Sequence, residues 1–319
     1  LDQKQIRIVG LLAVFATTSA AFGPTIGGLL IQLGGWPVIF YVNLPILALA
    51  IILTIIYIPK DEKTAGKTCP WDVTGISLFS LAIVTWMLFL LELEQNVQIG
   101  TLLFASVTTI AFYMYEKGKD EPFIDVNFFR NNLNITLIFG QYILSTVIFF
   151  AVLLSFPTFL QSVIGTTSRM AGIVMLALSL FAMVMTPIAT RWMERTGFRL
   201  PLFVSILIGL LGVGLMFFVK EDSGLFFIGF VLSVLGICNG IQNIGLQNLL
   251  YASIDKEDSG IASGLLMTSR FVGNILASSM YGIAFASGMD DGSMMNLTMM
   301  LFVVAVLLAP GMLYVTKGK

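Results

Sequence analysis

Four side-chain amides, Asn239, Gln242, Asn243 and Gln247, interrupt the apolar run from 225 to 250. At helical periodicity they share about 140° of one helix surface. Amides offer donors and acceptors without charge, so their chemistry is hydrogen-bond recognition of a neighbouring helix or of something held between helices. A second row, Ser263, Met267, Arg270, Asn274, Ala277 and Tyr281, recurs at three- and four-residue spacing between 261 and 286, and Gln141 with Tyr142 adds a smaller site. Arg270 is the one ionisable side chain clearly inside an apolar run. Proton-transfer catalysis has little material, because the chain has no histidine. Cys69 lies in a polar loop and Cys238 in an apolar run, which gives neither a disulfide nor a metal pair.

The elements that must carry these residues follow from composition. Hydrophobic residues make up 57% of the 319 and charged residues 11%, and mean hydropathy is +0.94. Crossing a bilayer takes about 20 mostly apolar residues. Stretches of that kind run approximately 8–33, 38–58, 73–91, 99–115, 133–160, 171–192, 200–219, 225–250, 261–286 and 294–315. The chain therefore reads as an all-α polytopic membrane protein with ten transmembrane helices. In that setting a central charge such as Arg270 costs on the order of 2.5–3.5 kcal/mol and needs a partner, and amides facing lipid are also costly. Interhelical hydrogen bonding and the lining of a water-filled cavity would both satisfy the amides. For Arg270 a structural hydrogen-bonding role and contact with a bound molecule stand equally open. The 16 methionines and 26 phenylalanines provide adaptable apolar wall.

Positive charge sets the orientation, since cytoplasmic loops retain Lys and Arg. Of the 17 basic residues only Arg169 and Lys220 fall on the opposite side, with Arg270 inside a span. That alternation predicts both chain ends in the cytoplasm and supports an even number of crossings. The net charge of -1 comes with basic residues dispersed as orientation signals, so no nucleic-acid partner is expected.

The first span contains Gly23-Pro-Thr-Ile-Gly-Gly28. Gly23 and Gly27, one turn apart, let a neighbouring backbone approach, while Pro24 bends the helix. With Gly10 and Ser19 upstream, the small residues at 10, 19, 23, 27 and 28 around Pro24 resemble the antiporter signature of the fifth helix in the major facilitator superfamily, with Ser19 in place of one glycine. The segment Trp36-Pro-Val-Ile-Phe-Tyr-Val-Asn-Leu-Pro45 resembles the opening of the sixth helix in that superfamily's 14-helix drug/proton antiporter branch. Trp71-Asp72-Val-Thr-Gly75 is similar to its entry to the seventh helix, and Glu121-Pro-Phe-Ile-Asp-Val-Asn-Phe-Phe-Arg130 to the connector before the ninth. Thr190 to Arg199, with Glu194, Arg195, Gly197 and Arg199, looks like a weakened copy of the superfamily's cytoplasmic gating loop; a solvated positive turn is the alternative.

The resemblance implies a major facilitator fold covering helices five to fourteen. Residues 1–60 would hold the last two helices of the N-terminal bundle, 61–132 a linker helix pair with its cytoplasmic connectors, and 133–319 the C-terminal six-helix bundle. The chain starts at Leu1 without an initiator methionine, so a piece of something longer is expected, its partners including helices one to four of the same protein. The resemblance further implies a proton-coupled exporter of hydrophobic or amphipathic drugs in the cell membrane, working by alternating access, with protons and the bilayer as partners. It needs no cofactor beyond the proton gradient. Substrate-cavity candidates are Gln141, Tyr142, Asn239, Gln242, Asn243, Gln247, Met267, Arg270, Asn274 and Tyr281. A same-fold exporter of one lipid, siderophore or metabolite is the main alternative, and a non-transporting scaffold a lesser one. A membrane enzyme lacks a catalytic dyad.

Overall fold

A computed structural model describes residues 26–27, 30, 34–35, 37–57, 72–92, 99–119, 132–254, 259–286 and 288–315. Within them nine helices follow one another: α1 Pro37–Tyr57, α2 Val73–Glu92, α3 Ile99–Lys117, α4 Leu133–Ser162, α5 Ser168–Thr196, α6 Arg199–Met216, α7 Leu225–Tyr251, α8 Ser259–Phe285 and α9 Asp291–Val315. The expected count of ten spans is therefore corrected to nine helices among the described residues. Seven of these are long and apolar enough to cross a membrane. The first expected span, 8–33, lies almost wholly outside the described residues. Helix α8 misses the apolar criterion because it carries Arg270 and Asn274 along with several serines, whereas α2, 20 residues long, holds an apolar run over Val73–Phe89.

Local chemistry sets several ends more sharply than hydropathy does. Asp72 opens α2 by accepting from the Gly75 N–H through Oδ1 at 2.9 Å, an N-cap bond that satisfies one of the free donors of the first turn. Thr167 does the same for α5, its hydroxyl accepting from the Met170 N–H at 3.3 Å. The helix then runs to Gly197, whose φ of +77° only glycine adopts without strain. There the Gly197 N–H donates to the Met193 carbonyl at 2.8 Å. Asp290 caps α9 through the Ser293 N–H at 2.7 Å, which starts that helix three residues before the expected apolar run.

Helices α4 to α9 pack into a bundle whose interior is split. One apolar cluster centres on Phe156, Phe159, Leu178, Leu232 and Leu297. The other centres on Ile138, Tyr142, Leu202, Leu246 and Leu266. Between them Gln141, Ser145, Thr146, Thr186 and Gln242 are all buried, so a polar waist crosses the bundle at the level where the chain's amides concentrate. Glycines allow the closest approaches. A Cβ at Gly240 would lie 2.5 Å from the Ala182 carbonyl oxygen, and one at Gly236 would strike that of Leu178, so α5 and α7 touch backbone to backbone. This is the small-residue contact by which membrane helices associate when burial from water no longer drives them together.

The pair α2 and α3 closes on its own polar groups. Thr85 and Thr108 hydroxyls hydrogen-bond at 3.0 Å, and the Trp86 indole N–H donates to Thr109 at 2.9 Å. At its end Lys119 Nζ lies 2.6 Å from Asp72 Oδ1, and the Tyr115 hydroxyl donates to the same oxygen at 3.2 Å. The ammonium and the Gly75 N–H hold the Asp72 carboxyl below the usual carboxylate range, and Asp72 in turn pushes the Lys119 ammonium up. Gly75 lets the carboxylates of Asp72 and Glu116 lie against its Cα, where a Cβ would push those side-chain ends aside. The Trp71-Asp72-Val-Thr-Gly75 motif, for its described residues, is thus a cap and a close contact. Helix α1 buries no residue, and its side chains, like the outward ones of α2 and α3, are large and apolar.

Candidate functional site

The polar waist gathers residues from three helices. From α4 come Gln141, Tyr142 and Ser145; from α7 Asn239, Gln242, Asn243 and Gln247; from α8 Met267, Arg270 and Asn274. The register between α4 and α8 is fixed by Gly273, where a Cβ would meet Thr146 at 2.8 Å and the Ile143 carbonyl oxygen at 2.9 Å. One turn earlier on both helices stand Arg270 and Tyr142. Ser145 ties α4 to α7 by donating its hydroxyl proton to Gln242 Oε1 at 2.6 Å, and Asn243 is the next residue of α7. The Tyr142 hydroxyl interacts with the Asn243 amide and feels the charge of the Arg270 guanidinium. A tyrosine hydroxyl, an amide and a guanidinium from three separate helices thus influence one another.

Two amides at the waist keep an unused bonding group. Gln242 is 2% exposed and, among the described residues, its Nε2 has no partner; Gln141 is 3% exposed and its Oε1 likewise has none among them. Leaving such a group unsatisfied costs about 1–3 kcal/mol. The Gln141 amide packs where Gly311 of α9 has no side chain. Beside Gln242 a cavity of about 10 Å³ is lined in part by Ser145, Asn239 and Cys238, room for roughly one water. Arg270 is exposed on the bundle's surface, and among the described residues no carboxylate pairs with it. Its guanidinium has five donors and no acceptor, so the Tyr142, Asn243 and Arg270 group is suited to an electron-rich oxygen and repels a cation.

The expected rows divide in space. Gln242 turns into the bundle, whereas Asn239, Asn243 and Gln247 are half-buried. On α8, Met267 is 48% exposed, and Asn274 and Tyr281 are half-buried, the Tyr281 ring 4.8 Å from Phe285. Ala277, placed in that row from its spacing, is fully buried in the larger apolar cluster instead. A helix of 3.6 residues per turn carries a mixed three-and-four row across its face, and at 277 the row has drifted onto the side packed against α4. In the expected gating loop Gly197 ends α5 and Glu194, Arg195 and Arg199 are exposed; among the described residues no ion pair joins these three. Gly27 of the Gly-Pro signature is helical, while Gly10, Ser19, Gly23, Pro24 and Gly28 lie outside the described residues. Ser145, Gly273 and Gly311 were not singled out by sequence; the four-residue spacing of Gly236 and Gly240 is a signal that could have located the α5–α7 contact.

A sequence model of the Major Facilitator Superfamily matches residues 2–278. The uncharacterized MFS-type transporter YwoD of Bacillus subtilis is 33% identical over 89% of this chain and 64% of its own length. The multidrug resistance protein Stp of Mycobacterium tuberculosis is 28% identical over 89% of this chain and 53% of its own. The tetracenomycin C resistance and export protein of Streptomyces glaucescens shows the same 28%, 89% and 53%. The chain thus spans between about half and two-thirds of the length of these relatives. With helices of spanning length, an outward surface of large apolar side chains and a family match over most of its residues, this multi-pass membrane chain belongs to the major facilitator superfamily, a family of transporters and not of enzymes.

Proposed function

We propose that the chain is part of a proton-coupled antiporter of the 14-helix drug/proton branch, exporting hydrophobic or amphipathic molecules by alternating access. The observation that carries this reading is the waist of α4 to α9: buried amides with unused groups, and the Tyr142, Asn243 and Arg270 donors, at the depth where three helices converge. Polar groups are retained at such depth in hydrocarbon at a cost, and a transport path is the use that offsets it. The resistance and export functions named for Stp and the tetracenomycin C protein agree with it. In this reading residues 133–319 form the C-terminal bundle, 61–132 the linker pair and 1–60 the last two helices of the N-terminal bundle, with both ends of the chain in the cytoplasm. Glu194, Arg195, Gly197 and Arg199 act as a cytoplasmic latch, and Gly10, Ser19, Gly23, Pro24, Gly27 and Gly28 as a conformational bend.

The test is efflux of a panel of dyes by the full-length protein in cells lacking other pumps, with and without collapse of the proton gradient. Efflux that persists unchanged after collapse excludes antiport. Because the waist is rich in donors, neutral and anionic amphiphiles should be carried in preference to organic cations, and Arg270→Gln should shift the profile toward cations. A profile untouched by Arg270→Gln, Asn243→Leu and Gln247→Leu at normal expression would reduce these residues to interhelical bonding.

A further inference from the structure

Between α2 and α8 lies a cleft of about 180 Å³ lined by Ile83, Trp86, Met87, Val272, Ile275 and Leu276. We propose that this cleft is a binding site for an acyl chain of a bilayer lipid. Its walls are hydrocarbon apart from the indole ring and the Met87 sulfur. The one strong donor in the wall, the Trp86 N–H, is turned away and spent on Thr109. A dry apolar cavity of about 150 Å³ is known to stay free of water and to take an apolar guest. Pockets for drug-sized molecules begin at about 300 Å³, so the cleft fits a tail segment better than a transported drug.

Position decides between lipid and the transport path. Val272, Ile275 and Leu276 sit about 160° around α8 from the row of Met267, Arg270 and Asn274, so the cleft opens away from the polar waist. Both walls fall more than ten residues into their helices, roughly 15–25 Å along each, which is within the hydrocarbon core of a bilayer about 30 Å thick. It is also continuous with the outward side chains of α2, where Val84, Met87 and Leu88 are 50%, 42% and 49% exposed. An empty gap would forfeit dispersion contacts on both walls, and on a membrane-facing surface the apolar matter able to fill it is a lipid tail.

The full-length protein, with Trp86 kept as its only tryptophan and the others changed to Phe, is reconstituted in phosphatidylcholine vesicles with bromine on the acyl chains. Trp86 emission should fall at least twofold with bromines deep in the chain and should not respond to aqueous iodide. Val272→Phe or Leu276→Phe, each filling the cleft from α8, should remove most of that quenching while leaving dye efflux intact. Two variants are used so that one failing to fold leaves the other. Quenching by iodide would show a wet cleft, protection from both quenchers a cleft covered by protein, and undiminished bromine quenching in both filled variants contact with ordinary boundary lipid; each overturns the proposal. Lipid binding here does not depend on which molecule is exported, so loss of efflux and loss of quenching report separately.

Discussion

Gly240→Ala tests whether α5 and α7 are held at backbone contact. The added Cβ would lie 2.5 Å from the Ala182 carbonyl oxygen and 3.1 Å from its Cα. Backbone atoms cannot rotate out of the way as a side chain can. To restore an ordinary contact of 3.4 Å the helices must part by about 0.9 Å. A gap of 0.5–1 Å forfeits a quarter to a half of each dispersion well of about 0.1–0.2 kcal/mol, so some thirty atom pairs along the interface lose roughly 1–2 kcal/mol. That agrees with the 1–3 kcal/mol typical of overpacking. Gly229→Ala is the control, on the same helix but with open space around its Cβ; there the better helix propensity of alanine acts alone, worth up to about 1 kcal/mol in favour of the variant. The assay is thermal unfolding of the purified full-length protein in one detergent, read by tryptophan emission. Gly240→Ala should lower the midpoint by a few degrees and Gly229→Ala should leave it or raise it. Gly236→Ala opens the same gap, so the double variant should cost less than the sum of the singles. Equal midpoints for Gly240→Ala and Gly229→Ala would refute the claim of backbone contact.

Ser145→Ala should destabilise the bundle by about 1–3 kcal/mol, because Gln242 then has no partner for either end of its amide, while Ser145→Ala with Gln242→Leu should recover most of the loss; denaturant titration of the pair of variants checks this. The carboxyl of Asp72 is held low and the ammonium of Lys119 is held high, so the stabilisation from Asp72 is present above its ordinary pKa and is lost as pH falls through the lowered value. That from Lys119 is present below its ordinary pKa and is lost as pH rises through the raised one. The protection of the α2 and α3 amides, with each exchange rate divided by the intrinsic rate at that pH, should therefore be flat between about pH 5 and pH 9 and should fall below about pH 4; Asp72→Asn should lower it throughout and remove the acid limb. Cys238 is buried against Gly209, so it should resist a water-soluble maleimide in the folded protein and react after denaturation, measured by mass shift.

Apolar runs were enough to locate all nine described helices, because in a membrane the length of a hydrophobic stretch is itself the structural constraint. Their ends were less legible. Hydropathy stopped the second helix of the bundle at 192, yet α5 continues to Thr196 because Gly197 is where the backbone can turn. The amide row showed that α7 has a polar side, but an arc of 140° covers two neighbours at once. The Ser145 hydroxyl, one helix away, decides that Gln242 faces inward. Arg270 was legible as costly, and its company of Tyr142 and Asn243 was not, since that depends on a register set by Gly273 against Thr146. Small residues at contacts carry no hydropathy signal, and their meaning comes from the partner they admit.

The parallel register of α4 and α8 bears on how the chain enters the membrane. α8 falls outside the helices whose length and apolarity suffice for spanning, and Arg270 burdens it further. α4 is synthesised more than a hundred residues earlier and presents Thr146 and Ile143 as the surface on which Gly273 seats. Insertion of α8 is then a late event that draws on protein already in the bilayer, and a truncated chain ending after α8 but lacking α4 should leave that helix outside the membrane. The glycine that seats α8 on Thr146 and Ile143 would thereby also order biogenesis, with α4 in the bilayer before Arg270 arrives.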